Sequence, residues 1–377
     1  MRILIVAESF LPRTNGVVNT VMRVSRFLKS LGHDVLILAP GPGAVKTFEG
    51  IPIVRTASVV VPGIQDTDVA FVSTSQIARV IRSFKPDVVH LASPFILGER
   101  AIKAARQEGV PTVAVFQTDV AGFAVHYGLA FAIRAADAWV GRIHRMVDLN
   151  LVPCGDMDNY LRGLGVANIF RWTRGVDHSI FSPEHRSEEL RAAWGAGVGT
   201  RVIGFVGRLA PEKNVHKLAL LDKLPHTQVV VVGEGSERAT LQRLMPRAVF
   251  TGALHGAKLG EAMASLDILV APGEKETFCQ VIQEGMASGV TVIAPAVGGP
   301  KDLIQHGVTG FLYQAGKDDQ LVQNVELALS NESLSRNLSL AGLRSVESRT
   351  WHSVNSELLD HYENVISMTA AKRMAVA

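Results

Sequence analysis

Cysteine is nearly absent: Cys154 and Cys279 are the only two in 377 residues, and neither shows metal-ligand spacing. That excludes a disulfide-stapled fold and a cysteine-based zinc site, and in so long a chain the pair reads as reduced, buried thiols of a cytoplasmic protein. Long apolar runs are missing too. Nothing approaches the roughly eighteen residues of a membrane span, and the apolar run in the opening MRILIVAESF is shorter than the core of a secretory leader. Aromatic residues make up only 6% and the basic residues are dispersed, which argues against a nucleic-acid groove. What is present is 47% hydrophobic residues, enough for large cores in two or three domains. Charge is uneven: residues 1–170 hold 17 Lys/Arg against 13 Asp/Glu, and the remainder 21 against 22. A first half at +4 points to an anionic partner. An anionic lipid surface fits, because FAIRAADAWVGRIHRMVD (131–148) sets Arg134, Arg142, His144 and Arg145 beside Trp139 and Ile143, the pattern of a basic amphipathic helix. An ordinary surface helix satisfies the same pattern.

The order of the elements is regular. ILIVA (3–7), VLILAP (35–40), VVHLA (88–92) and PTVAVF (111–116) are apolar throughout and alternate with helical periodicity such as VVNTVMRVSRFLKSLG (17–32). Such strands predict a parallel sheet covered on both faces. From about residue 201 the pattern restarts with RVIGFVG, QVVVVGEG, DILVAP and VTVIAP. Two series predict an α/β chain of two Rossmann-like domains and not one very wide sheet. The polar, turn-rich stretch 171–189 lies between them, so the domains are expected over 1–172 and 173–350. WHSVNSELLDHYENVISM (351–368) reads as an amphipathic helix returning to the first domain, with the tail from 369 to 377 frayed. A ligand in this architecture belongs in a cleft facing the carboxyl ends of both sheets.

The second series carries the sharper chemistry. GFVGRLAPEKNVHKL (204–218) ends a strand at Gly207 and places Arg208 and Lys213 in the loop before a helix. A diphosphate suits that arrangement: Arg grips two oxygens, Lys supplies a point charge and the helix start offers oriented N–H groups. An exposed loop with routine charges reads the same way. Gly233 and Gly235 in VVVVGEGSERATLQ (229–242) make either a tight turn or a fragment of a dinucleotide fingerprint without its third glycine. TGALHGAKLGEAM (251–263), around Leu254, supplies a turn whose backbone can edge a base. In EKETFCQVIQEGMASG (274–289), Glu276 and Glu284 stand eight apart, about 12 Å of rise and roughly 80° of rotation within one helix. That separation suits one elongated ligand better than one metal ion. The plainer reading puts Glu276 in a first helical turn and Glu284 in solvent. In the first series, AESFLPRTNGVVNTV (7–21) sets Asn15 and Gly16 ahead of a helix, where glycine allows close backbone approach and the helix start favours an anion.

Taken in order, GRLAPEKN, GEG, TGAL, the Glu-x7-Glu of ETFCQVIQE and MASGVTVIAPAVGGPKDLIQHGVTGFL resemble the retaining glycosyltransferases of the GT-B fold in family 4, over essentially the whole chain. RGVDHSIF and ETFCQ resemble the actinobacterial glycolipid mannosyltransferases that use GDP-mannose, relatives of the phosphatidylinositol mannosyltransferases. The resemblance implies donor phosphates on Arg208 and Lys213, ribose on Glu284, and the sugar near Glu276 and the amides of Phe278, Cys279 and Gln280. Gly16, Gly233 and Leu254 complete the expected donor site. The acceptor is expected on Asn15, Gln117, Asp119 and Tyr127, and the catalytic set is Asp119, Glu276, Arg208 and Lys213. Two positions depart from the pattern. Where many members read Glu-Gly-Phe-Gly, this chain has Glu276-Thr277-Phe278-Cys279, and FQTDV puts Gln117 where a histidine commonly precedes Thr-Asp. A neutral amide cannot act as acid or base, which leaves Asp119 as the charged group there, unless it serves only as a turn or cap residue.

The expected reaction is therefore transfer of a hexose, mannose from GDP-mannose, to a hydroxyl of an anionic membrane glycolipid, with retention at the anomeric carbon. No cofactor, divalent ion or nucleic acid is expected, and the protein is expected in the cytoplasm, peripheral to the inner face of the plasma membrane. A sugar-nucleotide 2-epimerase of the same architecture and an inactive sugar-nucleotide binder are the alternatives.

Overall fold

The computed structural model describes residues 1–377 apart from 14, 42, 44, 62–66, 118–132 and 377, and leaves the side chains of 60, 61, 67, 133, 375 and 376 undescribed. Two compact units divide the chain: residues 1–153, 157–173 and 354–377 form the first, and 154–156 and 174–353 the second.

In the first unit the strands are β1 (Arg2–Ala7), β2 (Asp34–Pro40), β3 (Thr47–Phe48), β4 (Ile51–Thr56), β5 (Ser58–Val61), β6 (Thr67–Ala70), β7 (Val88–Ala92), β8 (Thr112–Val115), β9 (Leu149–Val152) and β10 (Ile169–Arg171). Eight of them form one sheet in the order β10-β9-β8-β7-β1-β2-β4-β3, while β5 and β6 pair separately. Every described ladder in the large sheet is parallel except β3 against β4. Successive side chains of β1 serve opposite faces. Ile3, Ile5 and Ala7 join a core with Val18, Val21 and Leu28 of the helix Gly16–Ser30, whereas Leu4 and Val6 join Ile77, Ile81 and Leu97 on the other side. Burial on both faces is why this strand is apolar throughout.

The helix Trp351–Val376 packs on the first of these cores through Val354, Leu358, Tyr362 and Val365. Trp172 Nε1 donates to Val354 O at 2.9 Å, and Tyr362 Oη is hydrogen-bonded to His90 Nδ1 at 2.8 Å, deep in the sheet. The helix runs on to Val376, tied by Arg373 donating to Gly109 O.

Of the two readings of the basic amphipathic stretch, the structure favours the ordinary surface helix. In the helix Ile133–Arg145 the apolar side faces the protein: Val140, Ile143 and His144 are buried, with His144 hydrogen-bonded to Asn150 at 2.8 Å. Trp139 packs on Phe95 with ring centroids 4.2 Å apart and the planes tilted by 55°, and donates its Nε1–H to Glu99, which also pairs with Arg142. Arg134, Arg142 and Arg145 remain exposed, but the apolar stripe that lipid would need is spent on the core. Among the described residues no helix is long and apolar enough to cross a membrane.

The second unit is built on β11 (Arg201–Val206), β12 (Thr227–Val232), β13 (Val249–Gly252), β14 (Ile268–Val270), β15 (Thr291–Pro295) and β16 (Phe311–Tyr313). All pairs are parallel, in the order β13-β12-β11-β14-β15-β16. The order runs outward in both directions from β11 and β14. Open parallel sheets bind ligands at such a switch point, outside the carboxyl ends of the strands. In this unit that means the loops after β11 and β14.

Candidate active site

The loop after β11 starts at Gly207 and carries two short 3-10 segments, Pro211–Lys213 and Val215–Leu220, separated by Asn214 in the left-handed region. The α-helix expected after Lys213 is therefore absent, and with it the long helix N-terminus expected to face a phosphate. Gly233, at the end of β12, has a positive φ of 146° and would place a Cβ 1.8 Å from Gly207 O. Only glycine lets these two backbones touch, and the tight turn accounts for GEG without a dinucleotide.

The loop after β14 reaches across to this one. Lys213 Nζ lies 2.5 Å from Glu276 Oε1. Burial acts to lower the Lys213 pKa, but the charge and hydrogen bond of Glu276 outweigh it and hold the ammonium charged. Arg208, half exposed, pairs instead with Glu212 at 2.5 Å. The structure thus joins Lys213 to Glu276 and sets Arg208, in the same loop, on a different carboxylate.

Glu276 is not in a helix. The helix begins at Gln280, with Cys279 as its N-cap at φ 69°, so the twelve-ångström helical spacing to Glu284 does not apply. Gly299 N–H donates to Glu276 O at 2.9 Å, and Gly298, at φ 60°, would bring a Cβ within 2.3 Å of that oxygen. A backbone turn, and not helical spacing, positions this carboxylate. Phe278 and Cys279 are buried beside it. Burial, then the neighbouring Glu276 charge, pushes the Cys279 thiol well up, so it stays protonated. Gln280 spends its amide on Gly175 O at 2.9 Å, and Glu284 sits half-buried one turn further along. Leu254, in the loop after the edge strand β13, is half-buried against the core under β11.

Comparison with known proteins decides the family. Residues 14–180 match the model described as Glycosyltransferase Family 4, and residues 186–344 match the one described as Glycosyl transferases group 1. A GDP-mannose-dependent alpha-mannosyltransferase of Mycolicibacterium smegmatis is 46% identical over 97% of this chain and 98% of its own. The chain belongs to glycosyltransferase family 4. An alpha-monoglucosyldiacylglycerol synthase of Acholeplasma laidlawii is 24% identical over 86% of this chain and 87% of its own. Among solved structures, Anabaena Alr3699/HepE in complex with UDP superposes with a TM-score of 0.79 at 19% identity, over 97% of this chain and all of that one. Its likeness establishes a GT-B fold, two Rossmann-like units in one chain.

In the first unit of this glycosyltransferase, Asn15 caps the helix Gly16–Ser30, its side chain accepting from Val18 N at 2.9 Å. That occupies one face of the carboxamide expected for the acceptor. Gly16 is exposed, and a Cβ there would meet nothing within 4 Å. Gln117 is buried two residues beyond β8, and Asp119 and Tyr127 lie outside the described residues.

Three groups escaped sequence reasoning. Glu8, directly after β1, is half-buried and accepts N–H bonds from Phe95, Leu97 and Gly98 at 2.6, 3.1 and 2.8 Å. Burial raises its pKa against the pull of those bonds. Glu8 thereby occupies the N-terminus of the helix Ile96–Glu108, which leaves that helix start closed to a ligand phosphate. Its only sequence signal was a carboxylate following an all-apolar strand. Lys217 and Glu274 form a second ion pair beside Lys213 and Glu276, at 2.8 Å. The sequence also holds two Asp-x-Asp triplets that the expectation of no metal passed over, at 66–68 and 156–158. Asp68 pairs with Arg13, Asp156 accepts from Gly298 N and Asp158 pairs with Arg162. Among the described residues no group of His, Cys, Asp and Glu could hold a metal ion.

Proposed function

We propose that this glycosyltransferase moves mannose from GDP-mannose to a hydroxyl of an anionic membrane glycolipid, with retention of anomeric configuration. The observation that carries the donor is the 46% identity, over 97% of this chain, to a relative of that name. The diacylglycerol product in the name of the Acholeplasma relative supports a lipid acceptor, as does the positive first half of the chain.

The donor is assigned to the second unit. Arg208 and Lys213 take the diphosphate at the switch point, Glu276 and the backbone from Phe278 to Gln280 meet the sugar, Glu284 the ribose, and the loops at Gly233 and Leu254 the nucleoside. The acceptor is assigned to the first unit, on Asn15, Gln117, Asp119 and Tyr127, and Gly16 of the same unit leaves room for a close approach of the donor. The hard step breaks the bond between the anomeric carbon and the phosphate oxygen while negative charge gathers on the departing GDP. Cations aimed at those oxygens stabilise that charge more in the transition state than in the ground state. The acceptor oxygen forms the new bond to the anomeric carbon, and its proton passes to the leaving phosphate.

Labelled sugar nucleotides incubated with the protein and membrane lipids, followed by mass spectrometry of the lipids, test this. A mannosylated lipid formed from GDP-mannose is the expected product. Transfer only from uridine donors overturns the donor, isomerised donor without acceptor identifies an epimerase, and binding without turnover identifies an inactive binder.

A further inference from the structure

A second lysine of the loop after β11 is drawn inward. Lys217 has a side chain only 8% exposed, with Nζ 2.8 Å from Glu274 Oε1 and 2.9 Å from Asp318 Oδ1. It also lies over the ring of Tyr313, 5.9 Å from the centroid. Burial acts to lower its pKa, yet the two carboxylates more than offset this and raise it. Its partners come from three places: the loop after β14, the end of β16, and the first turn of the helix Asp318–Ser330. Glu274 Oε1 accepts in addition from Gly316 N at 3.3 Å.

The arrangement repeats that of Lys213. Glu274 and Glu276, two residues apart, both turn towards lysines of the loop after β11, while Lys275 between them is exposed. Lysine is almost never buried unless paired. Removing it would leave two partly exposed carboxylates, 32% and 44% exposed, without the ammonium they share, which frees Glu274 from its anchor. Glu274 and Glu276 share one short loop ahead of the helix at Gln280, so a backbone displacement at Glu274 reaches Glu276 two residues on.

We propose that Lys217 is a positioning residue of the donor site: by anchoring Glu274 it sets where Glu276 meets Lys213, and it touches no substrate itself. This rests on the donor assignment above.

The test uses the full chain as wild type, K217M, K217R and E274Q. The measurements are amide hydrogen exchange in 272–279, GDP affinity by calorimetry, and the donor KM and kcat. K217M is expected to speed exchange in 272–279 while the core amides of β11 and β12 stay protected. It should also weaken GDP binding and raise donor KM about tenfold, a loss of about 1.4 kcal/mol, with K217R restoring most of both. Should K217M not fold, E274Q leaves Lys217 paired with Asp318 and is expected to give the same loop signature. A lower melting temperature with unchanged exchange in 272–279 and unchanged GDP affinity means a merely structural lysine and overturns the proposal. Wild type that binds no GDP overturns the donor assignment instead, and unchanged exchange rates in 272–279 would then overturn the anchor independently.

Discussion

Acid should unfold the first unit through two histidines that the chemistry does not use. His90 on β7 and His144 on the helix Ile133–Arg145 are almost fully buried, and burial lowers each pKa from 6.5 to about 4. The hydrogen bond of His144 to Asn150 acts the other way without cancelling this, and His90 faces the neutral Tyr362 hydroxyl. Between pH 6.5 and 4 the unfolded chain binds these two protons and the folded one does not, so stability falls as pH falls through that window. Each histidine costs about 2 kcal/mol between pH 7 and 5, so the two together cost roughly 4 kcal/mol, a large share of the 5–15 kcal/mol of an ordinary domain. Glu8 offsets part of this, since its raised pKa lets the folded state take up a proton first. Glu49 and Glu99, held below the usual carboxylate range, add their losses only at lower pH. Urea unfolding at pH 7, 6 and 5 gives the slope, and hydrogen exchange in β7 and the helix Trp351–Val376 locates it. His90→Gln supplies the control: the amide can still bond Tyr362 but cannot titrate. It should be less stable at pH 7 and shallower in slope by about 1 kcal/mol per pH unit. A wild-type slope of zero between pH 6.5 and 5, or an H90Q slope equal to wild type, would refute the reasoning.

Replacing Lys213 by Met or Glu276 by Gln should lower kcat by 10²–10³, about 2.7–4 kcal/mol by analogy with loss of one oxyanion donor; transfer assays on variants with wild-type melting curves check it, and undiminished turnover sinks the donor assignment. Gly16→Ala should leave stability unchanged or raise it by about 0.4–1 kcal/mol, because a Cβ there meets nothing and the unfolded chain loses freedom, yet it should cut transfer by crowding the ligand. Equal activity in G16A would remove Gly16 from the site. Gly298→Ala combines a positive φ with a Cβ 2.3 Å from Glu276 O, so a lower melting temperature and a higher donor KM should appear together; a KM that stays put would separate this turn from the donor.

What could be read in advance follows from where the information is local. The all-apolar runs of β1, β2, β11 and β12 reveal a parallel sheet because burial on both faces leaves no polar positions, and that reasoning needs no knowledge of partners. The short strands β13 and β16 escaped notice because three or four residues at a sheet margin carry too little pattern. Residues 131–148 show the limit in the opposite sense: a basic amphipathic helix is legible, but whether its apolar side meets lipid or protein depends on Phe95, Glu99 and Asn150 arriving from other elements. The site divides in the same way. That Lys213 and Glu276 stand in loops at the carboxyl ends of strands is written in the order of the motifs, whereas their contact depends on β14 lying beside β11, with Ile203 paired to Ile268 far along the chain. The helix expected after Lys213 failed for a related reason. Asn214 takes a left-handed conformation and the following turns tighten to 3-10, which swings Lys217 towards Glu274 and Asp318. Two partly buried ion pairs thus override a local helical preference, a conflict expected where a loop is shaped for a ligand and not for its own stability.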